Sequence, residues 1–426
     1  MTISRLHFLI TLFAIAILCG FVDFVPNANT DQNSQMLMFR GNQYRSLSGI
    51  GTVPRHPKLL WTFKTSSILE GTKENRGVAP GTWWAGTGWT GQPAKEGDRY
   101  YVGSVDSNVY CLDARTGKQI WKYKTGHNVK CSVTVDGDRI YVGSRDNHLH
   151  CINKHDGTLV WKRRVGNDMD SSPCVIGDRI YVGSEDCFIN CFSKKDGSTI
   201  WAFKTEGTCE SSPCVVNDRV YASAAHGFVY CLDRMTGTLI WKYRTGDDTD
   251  STQVYVDGRL YFGCESGKFF CIDAQTGKEI WTVKWKKGIW ATPAVLDGCV
   301  YIGCADGYMR CLNANTGAEL WKYKTGARVW SSAAVTDGCV VFGGGDGYLY
   351  CLDARSGKLI WRYNAGGYFL STPCVADGQI CIGNHYGFIL CFMEDPQQTI
   401  FPVGIREKDD SILYDVLSGL TGFPTT

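Results

Sequence analysis

Seven tryptophans, Trp121, Trp161, Trp201, Trp241, Trp281, Trp321 and Trp361, stand 40 residues apart without a slip. Eight cysteines, Cys111, Cys151, Cys191, Cys231, Cys271, Cys311, Cys351 and Cys391, keep the same interval. A period of this length marks repeated supersecondary units, each unable to bury its apolar face alone, that stack on one another. Within residues 171–205, four runs rich in β-branched and aromatic residues (171–176, 180–183, 188–192 and 199–204) are separated by Gly, Asp and Asn turns. Such runs read as a four-stranded antiparallel meander. The repeats show no helical periodicity of useful length. The spacing therefore predicts an all-β chain, a β-propeller of four-stranded antiparallel blades.

The blade number follows from counting. The second strand recurs eight times, at Tyr101, Tyr141, Tyr181, Tyr221, Tyr261, Tyr301, Val341 and Cys381. The Trp strand also occurs eight times, because residues 59–64 supply an early copy around Trp61. A chain that starts on a fourth strand and ends on a third closes its ring by pairing the two, which removes the open edge. The expectation is one eight-bladed propeller over residues 57–393, with a lead-in at 31–56, an insertion at about 66–88 and a tail at 394–426. A short helix is expected in the tail, over residues 409–420.

The link into each Trp strand has a recurrent form: Asp113-Ala-Arg-Thr-Gly117 before Trp121, Asp273-Ala-Gln-Thr-Gly277 before Trp281, Asn313-Ala-Asn-Thr-Gly317 before Trp321, Asp353-Ala-Arg-Ser-Gly357 before Trp361. Asp or Asn with a later Gly makes the turn, and a large indole fills the gap between blades. This resembles the tryptophan-docking repeat of the quinoprotein (pyrroloquinoline quinone, PQQ) propeller family, and the resemblance covers all eight blades. It implies that Trp61 and the seven periodic tryptophans dock blade to blade. It also implies one of two functions. Some members are alcohol or sugar dehydrogenases that hold PQQ and calcium at the propeller centre. Others carry no cofactor, such as the propeller lipoprotein of the bacterial outer-membrane barrel-assembly machinery. This chain lacks the adjacent cysteine pair of many quinoprotein alcohol dehydrogenases, and its one sizeable insertion is about 20 residues. Both departures favour a binding scaffold.

Ligands of propellers meet the loops around the axis. Aligned by the period, the residue before each Ser-Ser-Pro-like segment is Thr90, Lys130, Asp170, Glu210, Asp250, Trp290, Trp330 and Leu370. Two residues earlier come Gly88, Asn128, Asp168, Thr208, Asp248, Gly288, Arg328 and Tyr368. The ring is lopsided: one arc is acidic, the other aromatic, with Trp290, Trp330, Tyr368, Phe369 and Trp89. Candidate ligand-binding residues are Trp89, Lys130, Asp170, Glu210, Asp250, Trp290, Arg328, Trp330 and Tyr368. Asp168, Asp170, Asp248 and Asp250 are candidate calcium ligands, since clustered carboxylates suit a hard cation. The insertion carries Trp83, Trp84 and Trp89 and can serve as a lid. His148 and His150 alternate on one strand and read as a surface pair. The periodic glycines Gly103, Gly143, Gly183, Gly263, Gly303, Gly343 and Gly383 read as strand ends before tight turns.

No zincin helix, Walker loop, nucleophile elbow or Cys-x-x-Cys pair is present. Alternating Lys and Arg on the fourth strands fit edge protection, and a formal net charge of +2 argues against nucleic acid as a partner. Residues 8–22 form a nearly unbroken apolar run behind Arg5, an export signal or short anchor. The 20 cysteines are mostly periodic; blade-equivalent positions are too far apart to bridge, so they read as small core residues. The sequence thus points to an exported, monomeric, non-catalytic binding or assembly scaffold. A protein, peptide or glycan would sit at its central face, and the N-terminal segment would be the one membrane contact. A PQQ/calcium dehydrogenase is the alternative, and a purely structural interaction propeller the third reading.

Overall fold

A computed structural model describes residues 35–46, 48–65 and 91–397, and the backbone of Leu413 and Tyr414. The apolar run at 8–22, the insertion at 66–88, Trp89 and the tail from 398 apart from those two residues lie outside it. Blade 1 is built from Ala94–Glu96, Arg99–Ser104, Asn108–Asp113 and Gln119–Lys124. Each further blade repeats this order about 40 residues on, and no helix interrupts the series. Blade 8 holds Cys374–Ala376, Gln379–Gly383 and Phe388–Glu394, and its outer strand is Pro57–Lys64. Trp61 pairs with Cys391 there, in the register that every other blade uses for its own Trp and Cys. The eight-bladed ring and its closure by the Trp61 strand are therefore as expected.

The innermost strands are shorter than the apolar runs suggest. In blade 3 only Cys174–Ile176 joins the ladder. Ser171, Ser172 and Pro173 direct their polar groups to neighbouring blades instead, as described below. In seven blades the third and fourth strands slip by one residue just after the repeat cysteine, for example between Cys191 and Phe192; blade 8 has the same slip at Leu59/Trp61. The bulge gives the outer strand one extra residue. That residue is Ile120, Val160, Ile200, Ile240, Ile280 or Leu320 in blades 1–6, and it stays exposed.

The core lies between blades. Each repeat cysteine is buried, and none of the described cysteines forms a disulfide. The indoles of Trp61 through Trp321 pack on Gly117, Gly157, Gly197, Gly237, Gly277, Gly317 and Gly357 of the next blade, where an added Cβ would come within 2.5–2.8 Å of the ring. Their Nε1–H groups reach across too, Trp61 to the Ala114 carbonyl at 2.9 Å and Trp121 to Lys154 at 3.0 Å. Trp361 donates instead to Pro54 of the lead-in at 2.8 Å.

Two expectations change. His148 and His150 do share a face, but His150 is buried, held between Asp146 and the Tyr123 hydroxyl. In the tail, Leu413–Tyr414 is extended, paired in parallel with Arg362 and Tyr363 of blade 7, rather than helical. The outer strand of that blade offers unpaired N–H and C=O groups, which a strand satisfies and a helix cannot.

Candidate functional site

A cavity of about 340 Å³ opens at the centre of the ring, with lining residues from all eight blades. Its walls are set by a clamp in six of the loops. Val129, Met169, Cys209, Ile289, Val329 and Phe369 are buried against Gly103, Gly143, Gly183, Gly263, Gly303 and Gly343, where a Cβ would meet them at 2.2–2.8 Å. These glycines therefore serve close approach, not the tight turns expected of them, and none has a positive φ. With one residue anchored inward, the next faces the cavity: Lys130, Asp170, Glu210, Asp250, Trp290, Trp330 and Leu370.

Beneath them runs a ring of hydroxyls. The backbone N–H of Gln92 donates to Ser132 Oγ, Ser132 to Ser172, Ser172 to Ser212, Ser212 to Thr252, Thr252 to Thr292 and Thr292 to Ser332, at 2.8–3.3 Å. Each bond joins one blade to the next and satisfies an amide that the short inner strand leaves out of the ladder. The apolar reading of these segments misses this role.

The lead-in is no simple linker. Its backbone pairs with inner strands around the ring, Met36 with Lys95, Leu37 with Val135, Gln43 with Val215, Tyr44 with Tyr255 and Ile50 with Val375. Arg40 and Arg45 are fully buried. Arg40 donates to the Ala333 and Pro293 carbonyls, and Arg45 to those of Pro213, Phe39 and Ser172 at 2.8–3.2 Å. Burial pushes both guanidinium pKa values down. Phe39, carried on this segment, reaches the cavity lining.

The acidic arc contains a second tier, from the turns after the second strands. The amides of Arg145, Glu185, Glu265 and His385 bond the carbonyls of Asn128, Asp168, Asp248 and Tyr368 at 2.8–2.9 Å, which places these side chains beside the cavity loops. Arg145 then bonds Asp170 from Nε at 3.0 Å and Nη2 at 2.7 Å, and Glu185 from Nη2 at 3.2 Å. Lys130 Nζ lies 3.3 Å from the same Asp170 oxygen that Nη2 contacts. Burial alone would raise the Asp170 pKa, but the two cations outweigh it and hold it below the usual range. Glu185 is pushed up to about 7, by burial and then by the Asp170 charge. Burial, then Asp250 and Asp170, raise Glu210 to about 7. Burial, then Glu265 and Asp248, raise Asp250 to about 7. Glu210 is open to water through the cavity while protein surrounds it on its other sides. Neither Glu210 nor Asp250 makes an ion pair or hydrogen bond among the described residues.

Of the predicted site residues, Lys130, Asp170, Glu210, Asp250, Trp290 and Trp330 line the cavity together. Arg328 and Tyr368 line a smaller hollow beside it, on the other side of Trp330. Tyr368 stacks on His385 with ring centroids 3.8 Å apart, and the Arg328 guanidinium sits over the Trp330 ring at 5.2 Å. Trp290 is held by its indole N–H to Glu265 at 2.6 Å. Phe369 is core, and Leu370 takes the lining position. Asp168 and Asp248 do not line the cavity: Asp168 lies 3.5 Å from Arg145, and Asp248 accepts the His226 amide at 2.7 Å. The carboxylates that do converge are Asp170, Glu185 and Glu210, whose oxygens lie within 4.8 Å of one another. That trio does not fit a cation as arranged, because an Arg145 nitrogen already bridges Asp170 and Glu185. Arg145, Glu185 and Glu265 are not among the predicted site residues, although aligning the turns after the second strands by the same period would have shown them.

The sequence profile of a family described as outer membrane protein assembly factor BamB matches residues 54–173, 105–253 and 225–394. No curated protein sequence matches the chain. Among solved structures, BamB from Moraxella catarrhalis is similar at 20% identity and a TM-score of 0.65, over 80% of this chain and 98% of that one. A europium-containing methanol dehydrogenase matches at 14% identity and a TM-score of 0.72, over 85% and 98%. The quinohemoprotein alcohol dehydrogenase of Comamonas testosteroni matches at 15% and 0.69, over 86% and 81%. At these identities the likeness is one of fold.

Proposed function

We propose, on the premise that the chain belongs to the outer membrane protein assembly factor BamB family, that it is an exported, non-catalytic binding or assembly scaffold whose central cavity receives a segment of a partner protein. The apolar run at residues 8–22 supports export. Among the described residues no helix is long and apolar enough to cross a membrane.

One observation carries the reading: the cavity sets two unpaired carboxylates, Glu210 and Asp250, beside two tryptophans, Trp290 and Trp330, on the next two loops of the ring. Burial, and after it neighbouring carboxylates, raise both pKa values, an environment that an added cation would relieve. A lysine or arginine side chain from an extended segment supplies it, with the indole faces taking up the alkyl stem or the cation itself. Aromatic walls alone would suit a glycan; the acidic arc selects a basic side chain. The PQQ and calcium reading draws support from the dehydrogenases that share the fold. It meets an obstacle in Arg145, which already bridges two of the three converging carboxylates, Asp170 and Glu185.

The test is calorimetric titration of the full chain with short peptides centred on Arg or Lys, with matched peptides centred on Glu, and with PQQ in the presence and absence of calcium. Binding of the basic peptides alone, lost in Glu210→Gln/Asp250→Asn and in Trp290→Ala/Trp330→Ala, supports the scaffold. Tight calcium-dependent PQQ binding would establish the dehydrogenase reading instead. Indifference to all three probes would move the partner surface away from the cavity.

A further inference from the structure

The first residue of the second strand is arginine in blades 1–5: Arg99, Arg139, Arg179, Arg219 and Arg259. It stands diagonally across the ladder from the repeat cysteine, on the same face; in blade 1, Arg99 pairs with Asp113 and Tyr101 with Cys111. Blades 6 and 7 have cysteine at this position, Cys299 and Cys339. The exchange brings a second thiol onto the repeat cysteine. Cys299 and Cys311, and likewise Cys339 and Cys351, stand on one face of paired strands, one diagonal step apart on the ladder.

Blade 7 has one further part. The lead-in passes over it, and Arg55 lays Nη1 2.7 Å from the Cys339 sulfur while Nη2 bonds the Asp337 carbonyl at 2.7 Å. Arg55 is itself 44% exposed, so the partner of the buried Cys339 sulfur reaches solvent. Among the described residues no guanidinium hydrogen-bonds Cys299. The Cys351 hydrogen bond, and after it the Arg55 charge, lower the Cys339 pKa, while burial and Cys339 raise that of Cys351. A thiol with a guanidinium on its sulfur and a second thiol beside it is the arrangement of a peroxide-reactive dithiol.

We propose that Cys339 and Cys351 form an oxidisable dithiol in which Cys339 attacks a hydroperoxide and Cys351 resolves the product into a disulfide across blade 7. The Cys339 thiolate takes the terminal peroxide oxygen. The O–O bond breaks, the sulfur is oxidised to sulfenic acid, and the peroxide is reduced to an alcohol, or to water for hydrogen peroxide, on taking up a proton. The Cys351 sulfur then attacks the sulfenic sulfur. An S–S bond forms, the S–O bond breaks, and the hydroxyl leaves as water with the Cys351 proton. The guanidinium of Arg55, 2.7 Å from the Cys339 sulfur, favours the thiolate form of the attacking group, and Arg55 is a positioning residue.

The test treats the reduced full chain with hydrogen peroxide in steps, blocks remaining thiols with N-ethylmaleimide and maps peptides by mass spectrometry. The Cys339–Cys351 cross-link should form first, ahead of any link between Cys299 and Cys311. Cys351→Ser should stop the reaction at a Cys339 sulfenic acid that dimedone traps. Arg55→Ala should slow the cross-link about tenfold, with Arg55→Lys recovering part of the rate. Mapping the unsubstituted chain alone suffices to overturn the proposal: if other cysteines oxidise while Cys339 and Cys351 both remain open to alkylation, the pair is not redox-active.

Discussion

Arg145 grips Asp170 with two nitrogens, Nε at 3.0 Å and Nη2 at 2.7 Å, across the edge of the central cavity. Asp170 comes from the loop after the Trp strand of blade 2 and Arg145 from the turn after the second strand of that same blade, so the pair ties neighbouring loops together. Removing one member of a buried ion pair strands the other. Arg145→Met should destabilise the chain by about 2–3 kcal/mol, somewhat less than a complete orphaning because Lys130 still faces Asp170. Arg145→Met/Asp170→Asn should recover much of that loss. Urea unfolding of the two variants and the parent checks both expectations.

Glu185, Glu210 and Asp250 keep their protons in the folded ring up to about pH 7. In the unfolded chain they lose them near pH 4, the ordinary carboxyl range (about 3.9–4.3). The folded state thus binds more protons across that window, and stability should fall as pH rises through it. The thermal midpoint should be lower at pH 8 than at pH 5. Glu210→Gln removes one of the repelling charges, so it should raise the midpoint at pH 8 by about 2 °C and change it little at pH 5. A midpoint that rises with pH would mean that these carboxylates have counter-cations.

Gly343 carries Phe369, the clamp that turns Leu370 toward the cavity, and a Cβ there would lie 2.2 Å from the Phe369 Cβ. Gly343→Ala forces the loop outward and should cost about 1–3 kcal/mol, the usual penalty for overpacking. Gly137→Ala is the contrast, since an added Cβ there meets nothing within 4 Å but the backbone φ is 56°. Its cost should be smaller, about 1 kcal/mol, and purely local. Chemical denaturation gives the energies. Near-ultraviolet circular dichroism separates the two, because only Gly343→Ala should disturb the aromatic side of the cavity.

Arg45 closes the floor by satisfying carbonyls from Phe39, Ser172 and Pro213. Arg45→Met leaves those oxygens buried and unbonded, at roughly 1–3 kcal/mol each where water cannot enter. Hydrogen exchange should quicken first at the amides of Met36, Val215, Tyr255 and Ile50, which bond to or from the lead-in, while the blade ladders exchange as before. Uniform acceleration throughout would show instead that the floor and the ring open as one unit.

The parts of the site that follow the 40-residue period were open to reading from the chain alone. Alignment finds Lys130, Asp170, Glu210, Asp250, Trp290 and Trp330 because equivalent residues in equivalent loops share a direction. Composition misled where direction matters. Phe369 and Leu370 are neighbours, and the aromatic one points away because an inward residue must fill the gap over Gly343. Glu185 and Glu265 were hidden in turns, where an acidic residue usually means only solvent. The floor was unreadable for a different reason: residues 36–50 occur once, so no repeat shows where they go. Arg40 and Arg45 in a polar stretch signal exposure, and only the assembled ring supplies the circle of free carbonyls that makes their burial tolerable.

The outer strand of blade 8 is Pro57–Lys64, and its partner Phe388–Glu394 lies more than 300 residues away. During synthesis, the strand that will finish the ring is among the first of the propeller to leave the ribosome and the last to find its place. Until residue 394 is available, the sheet edge of Pro57–Lys64 has no native partner, and the growing stack of blades can spread rather than close. Contacts this distant are slow to form and leave edges open to other chains. Closure thereby acts as a test of completeness: a product cut short anywhere before its eighth blade cannot shut, and it advertises the fault through the edge it fails to cover.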